Sequence, residues 1–370
     1  MFGIPRWQVI LLVVGVAGYI ASLVGAPPVL VFVLAALGLM PLAALIGRST
    51  EDLAHYIGPK WGGLLNATFG NAAELIIAGV ALRNGLLDLV KASITGSIIG
   101  NILLVLGTAL LLGGLRNGVQ RFDSREAGRN STMMLLAIFG LILPAVYSYA
   151  DPNPVRVEEV SLIVAVVLLI VYIAYVIYSF TAVETDKGME NELHTAEPEN
   201  NHTPWSQRTA IIVLAVVTLA TVFLSEALVG EVEAIVAQFG LSEFFIGVIV
   251  VPLVGNVAEH FSAITLAMKN KMDITLGIAA GSSTQVALLV APLLIFLSLV
   301  LVPGGFNLTK ALNLVFQPIE IVAVAAAGLL FNYISLDGET NWLEGLQLIS
   351  LYVVAAAIFF LFQGPLPAGH

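Results

Sequence analysis

The sequence predicts an all-α integral membrane protein with about eleven transmembrane helices, one extra N-terminal helix plus two inverted five-helix repeats. Three observations carry that reading. Of 370 residues, 58% are hydrophobic and only 11% charged, where soluble domains carry roughly a quarter charged residues. Apolar runs of about 20 residues, enough to cross a bilayer as a helix, recur along the whole chain. A short polar motif then occurs twice, far apart, inside two of those runs.

The spans can be placed in order. The first, near 8–25, follows Arg6 and stops at the Pro27-Pro28 break; the second, near 28–48, ends at Arg48. A third near 61–82 lies between Lys60 and Arg83, and a fourth near 91–114 between Lys91 and Arg116. The fifth and sixth, near 129–149 and 156–181, start at Arg129 and Arg156. After a polar stretch come spans near 206–230, 242–268, 272–302, 308–332 and 341–363. Barrel strands would alternate polar and apolar residues over about ten positions, and Ile94 to Gly114 does not. The domains are therefore 1–27, an extra N-terminal helix; 28–182, the first repeat; 183–205, an acidic loop; and 206–370, the second repeat.

With the N-terminus cytoplasmic, eleven lysines and arginines fall inside, leaving Arg83, Lys91, Arg156 and Lys310 outside. The positive-inside rule favours that orientation, which puts the 183–205 loop in the cytosol and His370 outside. Arg6, the apolar run after it and the small residues Ala21, Ser22 and Ala26 also fit a signal peptide. The next helix begins after only two prolines, which favours a retained span.

The repeat is legible residue by residue. Gly70-Asn71-Ala72-Ala73-Glu74 returns as Gly255-Asn256-Val257-Ala258-Glu259, and Gly96-Ser97 returns as Gly281-Ser282, both at a displacement of 185 residues. Thr50-Glu51-Asp52-Leu53 and Ser225-Glu226-Ala227-Leu228 match at a displacement of 175, so the second copy has about ten extra residues before its second span. Five spans per copy is an odd number, so the copies enter the membrane from opposite sides. Transporters are built this way, with the site near the midplane where the repeats meet.

Glu74 and Glu259 fall near the middle of their spans. A carboxylate at that depth is costly, and so is a functional candidate by default. Asn71 and Asn256 each precede a glutamate by three residues, the spacing of one helix face. Ser97 with Asn101, and Ser282 with Gln285, share faces of the following spans. Together these groups form an oxygen-rich, sulfur-free cage with two acids. Ca²⁺ takes 6–8 oxygen ligands in flexible geometry, and two carboxylates balance its charge. Gly70, Gly96, Gly255 and Gly281 let helices approach closely or unwind.

The stretch from Leu64 to Ile76, with Gly70-Asn71-Ala72-Ala73-Glu74 at its centre, closely resembles the first signature of the Ca²⁺/H⁺ (cation/proton) exchangers. Gly255-Asn256-Val257-Ala258-Glu259-His260 and Gly281-Ser282-Ser283-Thr284-Gln285 resemble the second, and Asp337 to Gly345 resembles the family's last loop. The likeness runs from about Thr50 to Phe360. It implies eleven helices, a mid-membrane Ca²⁺ site with Glu74 and Glu259 as the coordinating glutamates, and proton-driven antiport. The wider Na⁺/Ca²⁺ exchanger group tends to carry an Asp in its second cation motif. Gln285 in the matching stretch favours protons over Na⁺.

The resulting expectation is a secondary antiporter that exports cytosolic Ca²⁺ for H⁺. A Na⁺-driven exchanger and a Ca²⁺-permeable channel are the alternatives. No resident cofactor is implied. The partners are Ca²⁺ and H⁺ as transported ions, the lipid bilayer of a bacterial-type plasma membrane and, with no residue specifying it, a homo-oligomer. A net charge of −10 argues against nucleic acid. An enzyme is disfavoured, because Glu259-His260 lacks the HExxH spacing and the chain has no cysteine.

His260 points about 100° from Glu259 on a helix, and is read evenly as a proton shuttle or a satisfied buried histidine. Glu226 either lines an access path or reaches interfacial water. Glu320 follows Pro318, where packing and transport roles weigh equally. The Glu184–His202 segment lacks an EF-hand pattern and reads better as a solvated linker than as the regulatory segment that the resemblance suggests.

Overall fold

The computed structural model describes residues 4–58, 62, 65, 68–185, 204–303 and 308–362. The acidic-loop expectation for Glu184–His202 and the placement of His370 fall outside them, apart from the backbone of 184 and 185. Twelve helices carry the described fold. These are α1 (Arg6–Leu23), α2 (Pro28–Ile57), α3 (Ala72–Arg83), α4 (Leu87–Asn117), α5 (Ser124–Ala150) and α6 (Pro154–Thr185). The second half supplies α7 (Gln207–Phe239), α8 (Glu243–Gly255), α9 (Val257–Met268), α10 (Met272–Leu301), α11 (Pro318–Ile334) and α12 (Trp342–Leu361). Eight are long and apolar enough to cross a membrane singly, and α8 with α9 forms a ninth span bent by 64°.

Helix ends alternate between two faces. The turn face carries Gly25 between α1 and α2; the ribbon face carries a two-stranded antiparallel ribbon, β1 (Gln120–Arg121) with β2 (Glu339–Thr340). That ribbon joins the two repeats, with Arg121 bonded to Glu339 at 3.0 Å. Also on the ribbon face, Tyr56 donates to the Trp205 carbonyl at 2.9 Å, and the Trp205 N–H donates to Asp52 at 3.1 Å. These bonds fasten the start of the second repeat to α2.

The long helices α2 and α7, one from each repeat, pack along each other, and α1 lies against α2. Gly15 and Gly38 meet backbone to backbone there, the small-residue contact that suits helices in lipid, where apolar burial supplies little drive. Most of α1 stays exposed, as befits a helix outside both repeats.

The 185-residue displacement is written into the backbone. α3 and α9 are both 12-residue helices, entered through Asn71 (φ −97°, ψ 18°) and Asn256 (φ −100°, ψ 12°). Each leads to a tight turn through a left-handed residue, Gly85 (φ 77°) and Asn270 (φ 60°); Asn visits that conformation more readily than other side-chain-bearing residues. α4 and α10 then begin at Leu87 and Met272, and contain π-helical stretches at Gly100–Leu106 and Val286–Val290.

Several expected boundaries need correction. The 242–268 span is not continuous: it breaks at Asn256, and α3 likewise starts only after Asn71. The 206–230 span runs on to Phe239, and this continuation accounts for most of the second repeat's extra residues. The 308–332 span starts at Pro318, whose fixed φ suits the first helical position. The fourth span starts at Leu87 rather than 91, so Lys91 is an intrahelical residue and not a loop charge.

Candidate ion site

The two breaks decide where the glutamates sit. Both Glu74 and Glu259 occupy the first turn of a half-helix that starts inside the bundle. Unpaired N–H groups and the positive end of the helix dipole favour a negative group there. The sequence placed them mid-helix; the chain instead gives each a helix N-terminus at mid-span.

Glu74 is buried, and Glu259 is half-buried with its Oε2 buried. A Cβ built on Gly255 would lie 3.1 Å from Glu74 Cγ and 3.7 Å from its carboxyl carbon. The acid of repeat one thus rests on the Gly255-Asn256 break of repeat two, where a Cβ would crowd it. Glu259 stands in the first turn after that same break.

Amides tie the repeats together around them. Asn71 donates from Nδ2 to Gln285 Oε1 at 2.7 Å, and Asn101 from Nδ2 to Ser282 Oγ at 3.1 Å. Ser282 also neighbours the Glu259 carboxyl. With their N–H₂ groups engaged, Asn71 and Asn101 leave their Oδ1 atoms free. These oxygens are buried without a partner, as are Glu74 Oε1, Glu259 Oε2 and both polar atoms of Asn256. Buried polar atoms are nearly always satisfied in native proteins. Four unpaired oxygens on the two breaks, with a fifth on α4, therefore mark a place for a hard cation, which takes oxygen ligands. No group of three or more His, Cys, Asp or Glu suited to a metal occurs among the described residues, so two acids with amides are the available donor set.

The structure gathers Asn71, Glu74, Asn101, Asn256, Glu259, Ser282 and Gln285. Ser97 is buried beside Gly96, where α4 presses on the Val248 backbone. His260 adjoins Glu259, with its Nε2 buried and unpartnered. Glu226 lies apart, at the turn face, bonded to exposed Arg83 at 3.1 Å. Glu320 accepts from the Thr95 hydroxyl and the Gln317 N–H, at 2.6 and 2.7 Å. Sequence reasoning missed Gly255 as the seat for Glu74, although its recurrence beside an asparagine in both repeats was the available signal.

The family described as "Sodium/calcium exchanger protein" matches residues 27–181 and 209–361. The chain is 43% identical over 341 residues to the Ca(2+)/H(+) antiporter of Aphanothece halophytica, covering 89% of this chain and 90% of that protein. It is 41% identical over 344 residues to the Ca(2+)/H(+) antiporter ChaA of Bacillus subtilis (strain 168), covering 92% and 95%. Among solved structures, selenium-substituted Ca2+/H+ antiporter protein YfkE superposes with a TM-score of 0.81 at 39% identity, over 97% of this chain and all of that one. The H+/Ca2+ exchanger CAX shares the fold alone, with a TM-score of 0.66 at 17% identity over 96% of this chain and 92% of that one. With its paired helix breaks and matching halves, the chain is an integral membrane transporter, not an enzyme, and belongs to the Ca²⁺/H⁺ antiporters within the sodium/calcium exchanger family.

Proposed function

We propose that this protein exports cytosolic Ca²⁺ in exchange for inward-moving H⁺, and that Glu74 and Glu259 carry the two loads in turn. The observation that carries this reading is the seating of the Glu74 carboxyl on Gly255, which brings one acid from each repeat to a single set of unpaired buried oxygens. Ca²⁺ satisfies those oxygens and balances two carboxylates. Without it, two facing charges in a poorly solvated place repel, and protons replace the missing charge. Either load makes the site neutral enough for the repeats to rearrange; a bare pair does not. That exclusion is the coupling.

Asn71, Asn101, Asn256, Ser97, Ser282 and Gln285 complete the cation's shell, with His260 and Glu226 as groups along the proton path. The excess of Lys and Arg makes the ribbon face cytoplasmic and the turn face external. Gln285, engaged by Asn71, supplies no third acid, which favours H⁺ over Na⁺ as the counter-ion.

The test is ⁴⁵Ca²⁺ uptake into proteoliposomes under imposed pH or Na⁺ gradients. Uptake driven by the pH gradient, with proton release on Ca²⁺ binding to purified protein, supports antiport. A Na⁺ gradient that drives uptake where a pH gradient does not would make the protein a Na⁺ exchanger, and uptake or current without either coupling would make it a channel.

A further inference from the structure

A second group of buried charges lies near the turn face, and the ion site does not use it. Lys91 of α4, Glu158 of α6 and Glu320 of α11 each lie in the first two turns of a helix that begins on that face. At 1.5 Å per residue they sit roughly 3–6 Å below those helix ends. Glu158 and Glu320 are only 1% and 2% exposed. The Leu314 N–H donates to Ser161 Oγ, one turn past Glu158 on α6, at 3.1 Å. Lys91 Nζ donates to Asn313 Oδ1 at 2.6 Å.

The two buried acids are held differently. Glu320 uses both oxygens as acceptors, from the Thr95 hydroxyl and the Gln317 N–H, and stands in the first turn of α11. Those donors and the helix N-terminus suit a carboxylate, and one lysine balances it. Glu158 has no partner at either oxygen. The elements packed on α6 bring no further counter-charge. Ala291–Leu301 and Val286–Val290 carry no titratable side chain, and Lys310 is exposed. From α5, Tyr147 is bonded to Asp151, which is itself paired with Arg156. On α6 itself, Glu159 adds only another acid. With both buried glutamates ionised, the trio would hold one uncompensated negative charge in apolar surroundings. A proton on Glu158 removes it.

We propose that Glu158, buried with neither oxygen bonded and one turn from the Ser161 that anchors the Lys91-binding 313–314 segment, is a proton-binding site distinct from the Glu74–Glu259 pair, exchanging with the solution on the turn face and making antiport respond to pH there. This rests on the antiport reading above. The bond from Thr95 to Glu320 links the trio to the helical turn that carries Gly96 and Ser97, so its charge is felt where α4 seals against α8. Asp151, Glu158 and Leu162 recur as Asp337, Glu344 and Leu348, but Glu344 near the ribbon face accepts from the Thr340 hydroxyl and the Asn341 N–H and the position equivalent to Lys91 is Leu276, so the two acids are held differently.

The test uses full-length protein in oriented proteoliposomes, with pH varied from 5.5 to 8.5 on the turn-face side alone. The expected wild-type result is a Ca²⁺ transport rate that changes severalfold across this range. Glu158→Gln, fixed in the neutral form, should flatten that response to less than twofold. Its Ca²⁺ affinity, and the protons released per Ca²⁺ by the purified protein, should stay within twofold of wild type. An unchanged turn-face pH profile in Glu158→Gln would overturn the proposal. Should that variant fail to fold, Glu158→Asp retains an acid, and its infrared carboxylic-acid band should shift from the wild-type position without responding to Ca²⁺. A spectrum identical to wild type would equally overturn the proposal. Absence of proton release from wild-type protein on Ca²⁺ binding would instead defeat the antiport reading, and leaves the Glu158 band as a separate result.

Discussion

The two faces of the bundle use equivalent glycines in opposite ways. Near the turn face, Gly96 lies against the Val248 backbone, and Gly247 lies against Ala92 and the Leu89 backbone. α4 and α8, from different repeats, are thus pressed together with no room for a Cβ. The residues equivalent to Gly96 and Ala92 are Gly281 and Gly277 near the ribbon face, and among the described residues neither has a neighbour within reach of a Cβ. Gly62, the counterpart of Gly247, sits on Ala54 of its own repeat. The ribbon face is joined through β1–β2, through Gly113 of α4 packed on Ala267 of α9, and through the Asp273 carboxylate that accepts from the Asp123 N–H at 2.6 Å. Among the described residues, backbone contact between α4 and α8 closes the turn face where the equivalent glycines of α10 meet nothing, although the sequences match. Duplicated halves that must release an ion to one side at a time need this inequality.

The largest effect is expected at the residues where the halves do act alike. Glu74→Gln and Glu259→Gln each remove a charge while keeping size, so each should cut Ca²⁺ transport at least about 100-fold, some 2.7 kcal/mol in binding terms. Proteoliposome flux measures this. One variant near wild-type activity would break the equivalence of the two acids.

A smaller and unequal effect is expected at the glycines. Gly96→Val should destabilise the protein by roughly 1–3 kcal/mol through overpacking, whereas Gly281→Val should leave thermal unfolding in detergent nearly unchanged. Equal losses would mean that both faces are closed. Cysteine labelling sharpens the same point in this cysteine-free chain. Gly281→Cys should react with an impermeant maleimide supplied at the ribbon face at least about ten times faster than Ala92→Cys does from either side, because Ala92 has no exposure and reaction needs an accessible thiolate.

The smallest effect lies at the turn face outside the spans. The Asp151 carboxyl is held below its ordinary range, first by the Arg156 guanidinium and then by the Asn153 N–H. A lowered folded value means that this contribution is complete above the unfolded value of about 3.9 and fades as pH falls through the folded one. Stability should therefore be insensitive to Asp151 between pH 5 and 8. Melting curves of Asp151→Asn should differ from wild type by a small, constant amount in that window, with the difference narrowing only under strong acid. A difference that grew between pH 5 and 8 would contradict the assignment.

Much of this molecule is decided locally. Charge scarcity and runs of about 20 apolar residues force helices across a bilayer, because lipid satisfies no backbone group. Gly70-Asn71…Glu74 and Gly255-Asn256…Glu259 marked both the duplication and its acids. What local pattern could not show was the break at each asparagine, since an apolar run reads as one helix whether or not the backbone turns within it. Nor could it show that Glu74 rests on Gly255, or that Asn71 reaches Gln285 across 214 residues. Lys91 reads as a loop charge in the sequence, whereas α4 begins at Leu87 and sets it inside the helix, where it donates to Asn313. Only tertiary packing sets which equivalent glycines touch, because a matched pair of halves is compatible with closure at either face. Sequence determines the elements and their symmetry; the three-dimensional contacts between repeats decide where that symmetry is broken.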